Sequence, residues 1–257
     1  MTVISLNLYF RIMSLQDEIK TQSLVADGYI KRYTEPHALV FQKYLAEKII
    51  RLAKPQGLIL DNGCGPGYFS SLFLGDYDVI GVDISEEMLA HAKRNMNNVV
   101  LANSENLPFV GNYFDVVFSR SLIHHLADPQ KGIREVARVL RKDGRAVFVD
   151  TLSTPVSYLP RKILSKTEYF SCEHKNFREG ELARMIKNSG LNIIKKEYCG
   201  YVGYALVSAP DIFNPLRFIP FKANIAKTLM VVDEILSKIP VINKWMALGI
   251  IFVCQKP

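Results

Sequence analysis

Short apolar runs separated by polar, glycine-bearing turns dominate the middle of the chain. GLILD (57–61), DVIGVD (78–83), VVLA (99–102), FDVVFS (114–119) and GRAVFVD (144–150) are rich in Val, Ile, Leu and Phe with little alternation. That is the pattern of strands covered on both faces. Between them, Tyr68–Leu74, Ser85–Asn97 and Gln130–Leu140 carry helical spacing. An earlier helix is predicted from about residue 36, where Leu39, Val40, Tyr44, Ile49 and Leu52 recur at helical intervals ahead of Pro55. Strands alternating with helices predict βαβ units.

After Asp150 the rhythm changes. Residues 151–178 include Pro155 and Pro160 and read as a lid-like segment. Arg178–Ser189 reads as a helix closed by Gly190, and Leu191–Val207 as one long strand. Pro210, Pro215 and Pro220 punctuate a loop before an amphipathic stretch, Lys222–Ile239, with Ile225, Leu229, Val232, Leu236 and Ile239 along one stripe. GIIFVCQKP (249–257) reads as a last strand. The fold class predicted is therefore α/β: a Rossmann-like, doubly wound, mostly parallel seven-stranded sheet with helices on both faces and an added helical cover. Residues 1–54 form an N-terminal helical cap. Residues 55–257 form the main domain, and its cover combines the lid at 151–178 with a helical insertion at 208–246.

Composition narrows the partners. At 257 residues, 49% hydrophobic and 22% charged, the chain can bury a substantial core, which excludes bulk disorder. Net charge is +7, and a basic balance is compatible with nucleic acid, an anionic membrane or an acidic substrate. Its distribution is uneven. Residues 1–150 hold 17 basic and 17 acidic side chains, whereas residues 151–257 hold 15 and 8, the whole surplus. Cys64, Cys172, Cys199 and Cys254 show no metal-like spacing, and MTVISLNLYFR lacks the pattern of a secretory signal. The longest run without a formal charge, Asn62 to Gly75, is too short to span a bilayer. These features predict a cytoplasmic chain with reduced thiols and no metal site.

The chemistry concentrates in LILDNGCGPGYFS (58–70), where a predicted strand gives way to a predicted helix and Gly63, Gly65 and Gly67 follow one another at alternate positions. Glycine there permits φ > 0 and lets backbone N–H groups approach a ligand. The spacing is GxGxG rather than the GxGxxG of nicotinamide dinucleotide sites. Asp83 ends the next strand, 22 residues after Asp61, where an acid can accept both hydroxyls of a ribose. A nucleoside bearing something other than pyrophosphate fits both features.

LDNGCGPG, GVDIS, NSENLPF (103–109), FDVVFSRSLIHHL (114–126) and VLRKDGRAVF (139–148), in this order and spacing, resemble the class I S-adenosylmethionine (SAM)-dependent methyltransferases. The resemblance spans about residues 36–150 and is nearest to the small-molecule branch that includes the ubiquinone/menaquinone C-methyltransferases. It implies SAM as cofactor and S-adenosylhomocysteine as product. It also implies that Asp61 contacts the methionine amino group, that Gly63, Cys64, Gly65 and Gly67 form the loop against the methionine part, and that Asp83 binds the ribose. Ile84 and Met88 would wall the adenine, with Asn103, Ser104 and Glu105 at its rim and Ser119 and Arg120 at the methionine end. Asn103 replaces the Asp usual in the family, and Asn62 stands where an apolar residue is usual. Plainer roles compete: Asp83 as a helix cap, Asp61 as an ordinary strand-end acid, and Met88 and Cys64 as packed residues.

His124 and His125 follow the fourth strand and are candidate general bases, with packing as the rival role. Tyr29 and Tyr33 could close over the cofactor or simply pack. No Asn/Asp-Pro-Pro-aromatic motif follows the fourth strand, so no nucleic-acid partner is expected. The aromatic, proline-rich segment and amphipathic helix at 211–239 point to a small apolar or lipid-like acceptor and to peripheral membrane contact; packing on the sheet or dimerisation is the alternative. Other readings are a SAM-binding protein without turnover, a methyltransferase acting on protein or nucleic acid, and a nicotinamide-dependent oxidoreductase.

Overall fold

The computed structural model describes residues 16–17, 19–157, 177–210 and 212–257. Seven strands form one sheet in the order β3-β2-β1-β4-β5-β7-β6. They are β1 (Leu58–Asn62), β2 (Asp78–Asp83), β3 (Val99–Leu101), β4 (Phe114–Arg120), β5 (Leu140–Thr151), β6 (Asn192–Cys199) and β7 (Gly249–Gln255). The first five pair in parallel, and β7 runs antiparallel between β5 and β6. The mostly parallel, doubly wound sheet agrees with the prediction. Strand order reverses between β1 and β4, a switch point that opens a crevice at the carboxyl ends of the strands.

Eight labelled helices surround it: α1 (Pro36–Ala53), α2 (Tyr68–Phe73), α3 (Glu86–Ala92), α4 (Pro129–Val139), α5 (Glu179–Asn188), α6 (Val202–Val207), α7 (Lys222–Leu236) and α8 (Pro240–Met246). Neighbouring residues on each strand serve opposite faces. Leu60, Val117, Phe148 and Phe252 pack with Ile133 of α4 and Ile186 of α5. Ile59, Phe118, Val147 and Ile251 pack with Ile49 of α1 and Met230 of α7. Because both faces are buried, the strands read as unbroken apolar runs; each such side chain contributes about 1.5–3 kcal/mol by leaving water. Local chemistry starts the helices. Ser85 Oγ accepts the Met88 N–H at 3.2 Å to cap α3, and Asp128 accepts the Lys131 N–H at 3.1 Å to cap α4, with Pro129 in its first turn.

The structure corrects several boundaries. β5 begins at Leu140, which pairs with Phe114 before a bulge; Asp143 (φ 61°) and Gly144 absorb the extra residues, and the ladder resumes at Arg145 and Val116. The long strand predicted over 191–207 stops at Cys199. Gly200 (φ 74°) turns the chain, and Val202–Val207 coils into α6. The buried Asp233 of α7 stabilises this helix, because its carboxylate accepts the N–H groups of Tyr201, Gly203 and Tyr204 at 2.9–3.1 Å. The helix predicted to Ile239 ends at Leu236, and Pro240 opens α8. The inward face of α7 is Ala226, Met230 and Asp233, with Ile225, Leu229 and Leu236 of the predicted stripe partly buried against the core, whereas Val232 and Ile239 are exposed.

Of the cap at 1–54, residues 1–15 lie outside the described residues; Lys31–Thr34 is a helical turn and α1 packs on the sheet. Most of the lid, residues 158–176 with Pro160 and Cys172, also lies outside them. Cys64, Cys199 and Cys254 are buried free thiols. Among the described residues, no helix is long and apolar enough to cross a membrane. The insertion starts at Gly200, before the predicted 208. Gly249 pairs with both Thr151 and Cys199, so residues 200–248 hang from the sheet edge where the parallel strands end.

Candidate cofactor and catalytic site

The glycine loop leaves β1 and is held by its neighbour strand. The N–H groups of Gly63 and Cys64 both donate to the Val82 carbonyl, at 2.8 and 2.9 Å. Gly63, Gly65 and Gly67 have φ of 78°, 53° and 78°, left-handed values that strain any side chain. At Gly67 a Cβ would also press on Met96 and Ala92. At Gly65 a Cβ would meet nothing within 4 Å, so the loop faces open space there and its backbone is accessible to a ligand.

Two acids frame that space. Asp83 Oδ2 accepts the Gly65 N–H at 2.8 Å and Oδ1 accepts the Ser85 N–H at 3.0 Å. Ser85, not Asp83, caps α3. Asp61 accepts the Ser70 hydroxyl at 2.6 Å and is buried. Burial pushes both carboxyls above the usual Asp range. For Asp61 the Ser70 bond and Arg120 oppose the rise, and for Asp83 the loop N–H groups do. Two neighbouring acids with raised pKa values, Asp61 buried and Asp83 half-buried, favour a cation beside them.

Arg120, at the end of β4, completes this wall. Its guanidinium donates to Gln42 of α1 at 2.9 Å and to the Tyr33 hydroxyl, and lies 4.4 Å from the Phe69 ring centre. Tyr33 is buried and stacks on Tyr68 with centroids 5.2 Å apart. Burial lowers the affinity of Arg120 for its proton, but Tyr33 and other neighbours outweigh this and leave its pKa raised.

On α3, Met88 is buried with Val25, Ala26 and Tyr29 of the N-terminal segment. That segment is pinned to α3 by a Ser23–Glu87 hydrogen bond and by Asp27 facing His91 at 3.1 Å. Ile84 is half-buried between Asp83 and Ser85. Asn62 links the sheet to the rim. It donates to Ser119 Oγ at 3.4 Å and accepts from Ser104 Oγ at 2.8 Å, which accounts for a polar residue at this buried place. Asn103 Oδ1 accepts the Glu105 N–H at 2.8 Å, and Glu105 accepts the Asp128 N–H at 3.0 Å. The Cys64 side chain sits with Leu89 and Ala92, and burial holds its thiol well above the ordinary cysteine range.

The histidines stand at the same edge. His124 Nδ1 lies 2.5 Å from Asp150 Oδ1, both residues are buried, and the two imidazole centroids are 4.1 Å apart. Burial would raise the Asp150 carboxyl, but His124 and the Thr151 N–H bring it below its ordinary value. Asp150 Oδ2 is buried without a hydrogen-bond partner among the described residues. Sequence reasoning overlooked Asp150. The available signal was an acid closing a predicted strand, as Asp61 and Asp83 do. Gln42 and Phe69, the partners of Arg120, carried no such signal.

Residues 60–148 match the family model of a methyltransferase domain. Over that span the chain is similar to methyltransferases. The chain is 39% identical over 101 residues to the uncharacterised methyltransferase YcgJ of Bacillus subtilis, covering 36% of this chain and 40% of that protein. The crystal structure of YcgJ superposes with a TM-score of 0.55 at 21% identity, over 82% of this chain and 97% of YcgJ. A malonyl-[acyl-carrier protein] O-methyltransferase from Herminiimonas arsenicoxydans is 35% identical over 113 residues, 42% of this chain and 43% of that enzyme. The sequence matches thus span about two fifths of these relatives. Geranyl diphosphate C-methyltransferase from Streptomyces coelicolor A3(2) shares the fold at a TM-score of 0.58 and 13% identity, over 84% and 79% of the two chains. The family match is confined to residues 60–148, while the fold likeness takes in about four fifths of the chain.

Proposed function

We propose that the whole chain is a SAM-dependent methyltransferase that moves a methyl group by in-line displacement to a small, apolar or lipid-like acceptor. The observation that carries it is the convergence of Asp61, Asp83 and the open glycine loop at the switch point of the sheet. The acid pair fits the positive charges of SAM, and Arg120 fits the carboxylate of its methionine end. Asp83 would take the ribose hydroxyls while holding Gly65, and Ile84 and Met88 would flank the base, with Asn103, Ser104 and Glu105 at the rim. Bound SAM would supply an activated methyl carbon.

The residues then have two tasks. The first is orientation, which can supply much of the barrier lowering; the Arg120–Tyr33–Gln42 cluster and the tethered N-terminal segment fix one side of the site. The second is removal of a proton where the acceptor needs it. Asp150 fixes one nitrogen of His124 and stabilises its charged form, so His124 is the favoured base and His125 its neighbour. Such a base contributes about 10²–10⁴-fold.

The malonyl-[acyl-carrier protein] and geranyl diphosphate enzymes are named for unlike acceptors, so the acceptor here is argued from the apolar cover alone. Contact of 211–239 with a membrane belongs to the same reading. Calorimetry with SAM, S-adenosylhomocysteine and NAD tests the cofactor: binding of NAD without SAM overturns the proposal. A labelled-SAM screen over lipid quinones, phenols and amines tests turnover, and SAM binding with no transfer to any class favours a non-catalytic binding protein.

A further inference from the structure

The insertion shows an outward apolar face that none of the described residues covers. Phe218 and Phe221, in the loop before α7, are 88% and 77% exposed. Phe221 holds φ 57°, a costly conformation for an aromatic residue. On α7, Val231 and Ile235 are exposed at adjacent turns, although Ala226, Met230 and Asp233 already bury the opposite side. On α8, Val241 and Trp245 are 69% and 54% exposed and share a face. Isolated exposed apolar residues are ordinary, but this succession in one stretch of chain is a patch.

Charge identifies its occupant. Lys227, Val231 and Ile235 follow at intervals of four, a single strip along α7, and the exposed Lys238 lies two residues past its end. Arg217 and Lys244 are exposed at either end. α7 and α8 contain two acids, and both are engaged inward: Asp233 caps α6, and Glu234 accepts from Tyr44 at 2.7 Å and Lys48 at 3.2 Å of α1. The strip is therefore apolar, edged by cations and free of acids.

We infer that the outer face of α7 and α8, with the Phe218–Phe221 loop, docks on an anionic phospholipid surface. Phe218, Phe221 and Trp245 enter the interfacial layer while Lys227, Lys238, Lys244 and Arg217 meet lipid phosphates. The insertion leaves and rejoins the sheet beside the ends of β5 and β6, on the edge that carries Asp61, Asp83 and His124. Docking thus brings the bilayer to the side of the molecule where the acceptor enters. This deepens the reading of a lipid-like acceptor and rests on it only for its purpose, because docking is measured without turnover.

The test is co-sedimentation of the full chain with vesicles of phosphatidylcholine alone and with about one third phosphatidylglycerol, with SAM binding measured in parallel. Binding is expected to anionic vesicles, to weaken on raising salt from 0.05 to 0.5 M, and to fall at least tenfold on neutral ones. Each cation near the surface contributes roughly fivefold, so the K227E/K238E variant should bind anionic vesicles at least tenfold more weakly. F218S/W245S should lose binding while keeping its melting temperature and SAM affinity. No binding to anionic vesicles, or equal binding by both variants, overturns the proposal. So does a dimer in light scattering that dissociates in V231S/I235S, which would assign the face to a second copy of the chain. Docking without methyl transfer, or transfer without docking, separates this proposal from the function it deepens.

Discussion

Replacing Asp83 by Ala separates a ribose-binding acid from a structural one. The side chain accepts two backbone N–H groups, of Gly65 at 2.8 Å and Ser85 at 3.0 Å, and under the proposed function it also accepts two ribose hydroxyls. The Gly65 amide borders the open side of the loop and can bond water once the carboxylate is gone, whereas Ser85 is buried. Losing the two bonds should cost at least about 1 kcal/mol each, a fall of at least roughly 4–8 °C in melting temperature at 2–4 °C per kcal/mol for this size. Bonds to the ribose are charge-assisted, about 1.5–3 kcal/mol each, so the pair is worth at least about 3 kcal/mol. That corresponds to a Kd for SAM raised roughly 100-fold or more. Titration calorimetry with SAM, run beside a thermal melt, reads both quantities. If the variant melts lower but binds SAM within threefold of the parent, Asp83 merely tethers the loop and the ribose assignment is wrong.

Three further outcomes follow from the site and the cover. Asp150→Asn should lower kcat at least about tenfold and shift the rising limb of the pH–rate profile to lower pH, since the carboxylate no longer supports a charged His124, while SAM affinity stays unchanged; an unmoved profile would leave the pair a packing feature. Asp233→Ala strands three N–H groups beneath α7, at about 1–3 kcal/mol each, so scanning calorimetry should show a drop of at least about 6 °C, and a shift under 2 °C would refute the cap. The raised carboxyl of Asp61 should give SAM affinity that climbs with pH through the acid range, from a higher pH than an ordinary Asp would show. Its own share of apo stability has the opposite sign: present below the unfolded pKa, it is lost as pH rises through the raised folded value. The Asp61→Asn variant should therefore gain stability relative to the parent as pH increases, and parallel melting curves across that range would contradict the raised pKa.

What could be read from the chain, and what could not, divides by distance. Five parallel strands were visible because both their faces are buried, which turns Leu58–Asn62 or Phe114–Arg120 into unbroken apolar runs. The glycine loop was visible because its left-handed angles demand a residue type, and Asp61 and Asp83 because acids at strand ends are few. The break at Gly200 was hidden. YVGYALV is as good a strand as a helix by composition, and the side chain that favours the helix, Asp233, lies 30 residues beyond Gly203. The His124–Asp150 pair was hidden likewise, since the turn after β4 meets the end of β5 from 26 residues apart. Asn62 looked like an anomaly until Ser119 and Ser104 arrived on either side of it. α7 was misread for another reason: with apolar residues around most of its circumference, periodicity cannot tell the face that Met230 buries from the face that Val231 exposes.

That last ambiguity bears on the basic surplus. Beyond residue 150 several cations are committed within the fold: Lys196 to Glu179, Lys222 to Glu35, and Lys256 to Asn112 and the Leu140 carbonyl. Arg217, Lys227, Lys238 and Lys244 are exposed instead, and they edge the one stretch of the described residues where large apolar side chains stand outward on consecutive helices. A surplus serving solubility alone has no reason to gather there, since solvated charge is effective anywhere on a surface. A surplus serving nucleic acid would lack the intervening Phe, Val and Trp, which cost free energy beside a phosphate backbone and gain it in a lipid interface. The charge, the apolar strip and the attachment of the insertion at the catalytic edge therefore share one explanation, in which the cover brings the site to a membrane that holds the acceptor.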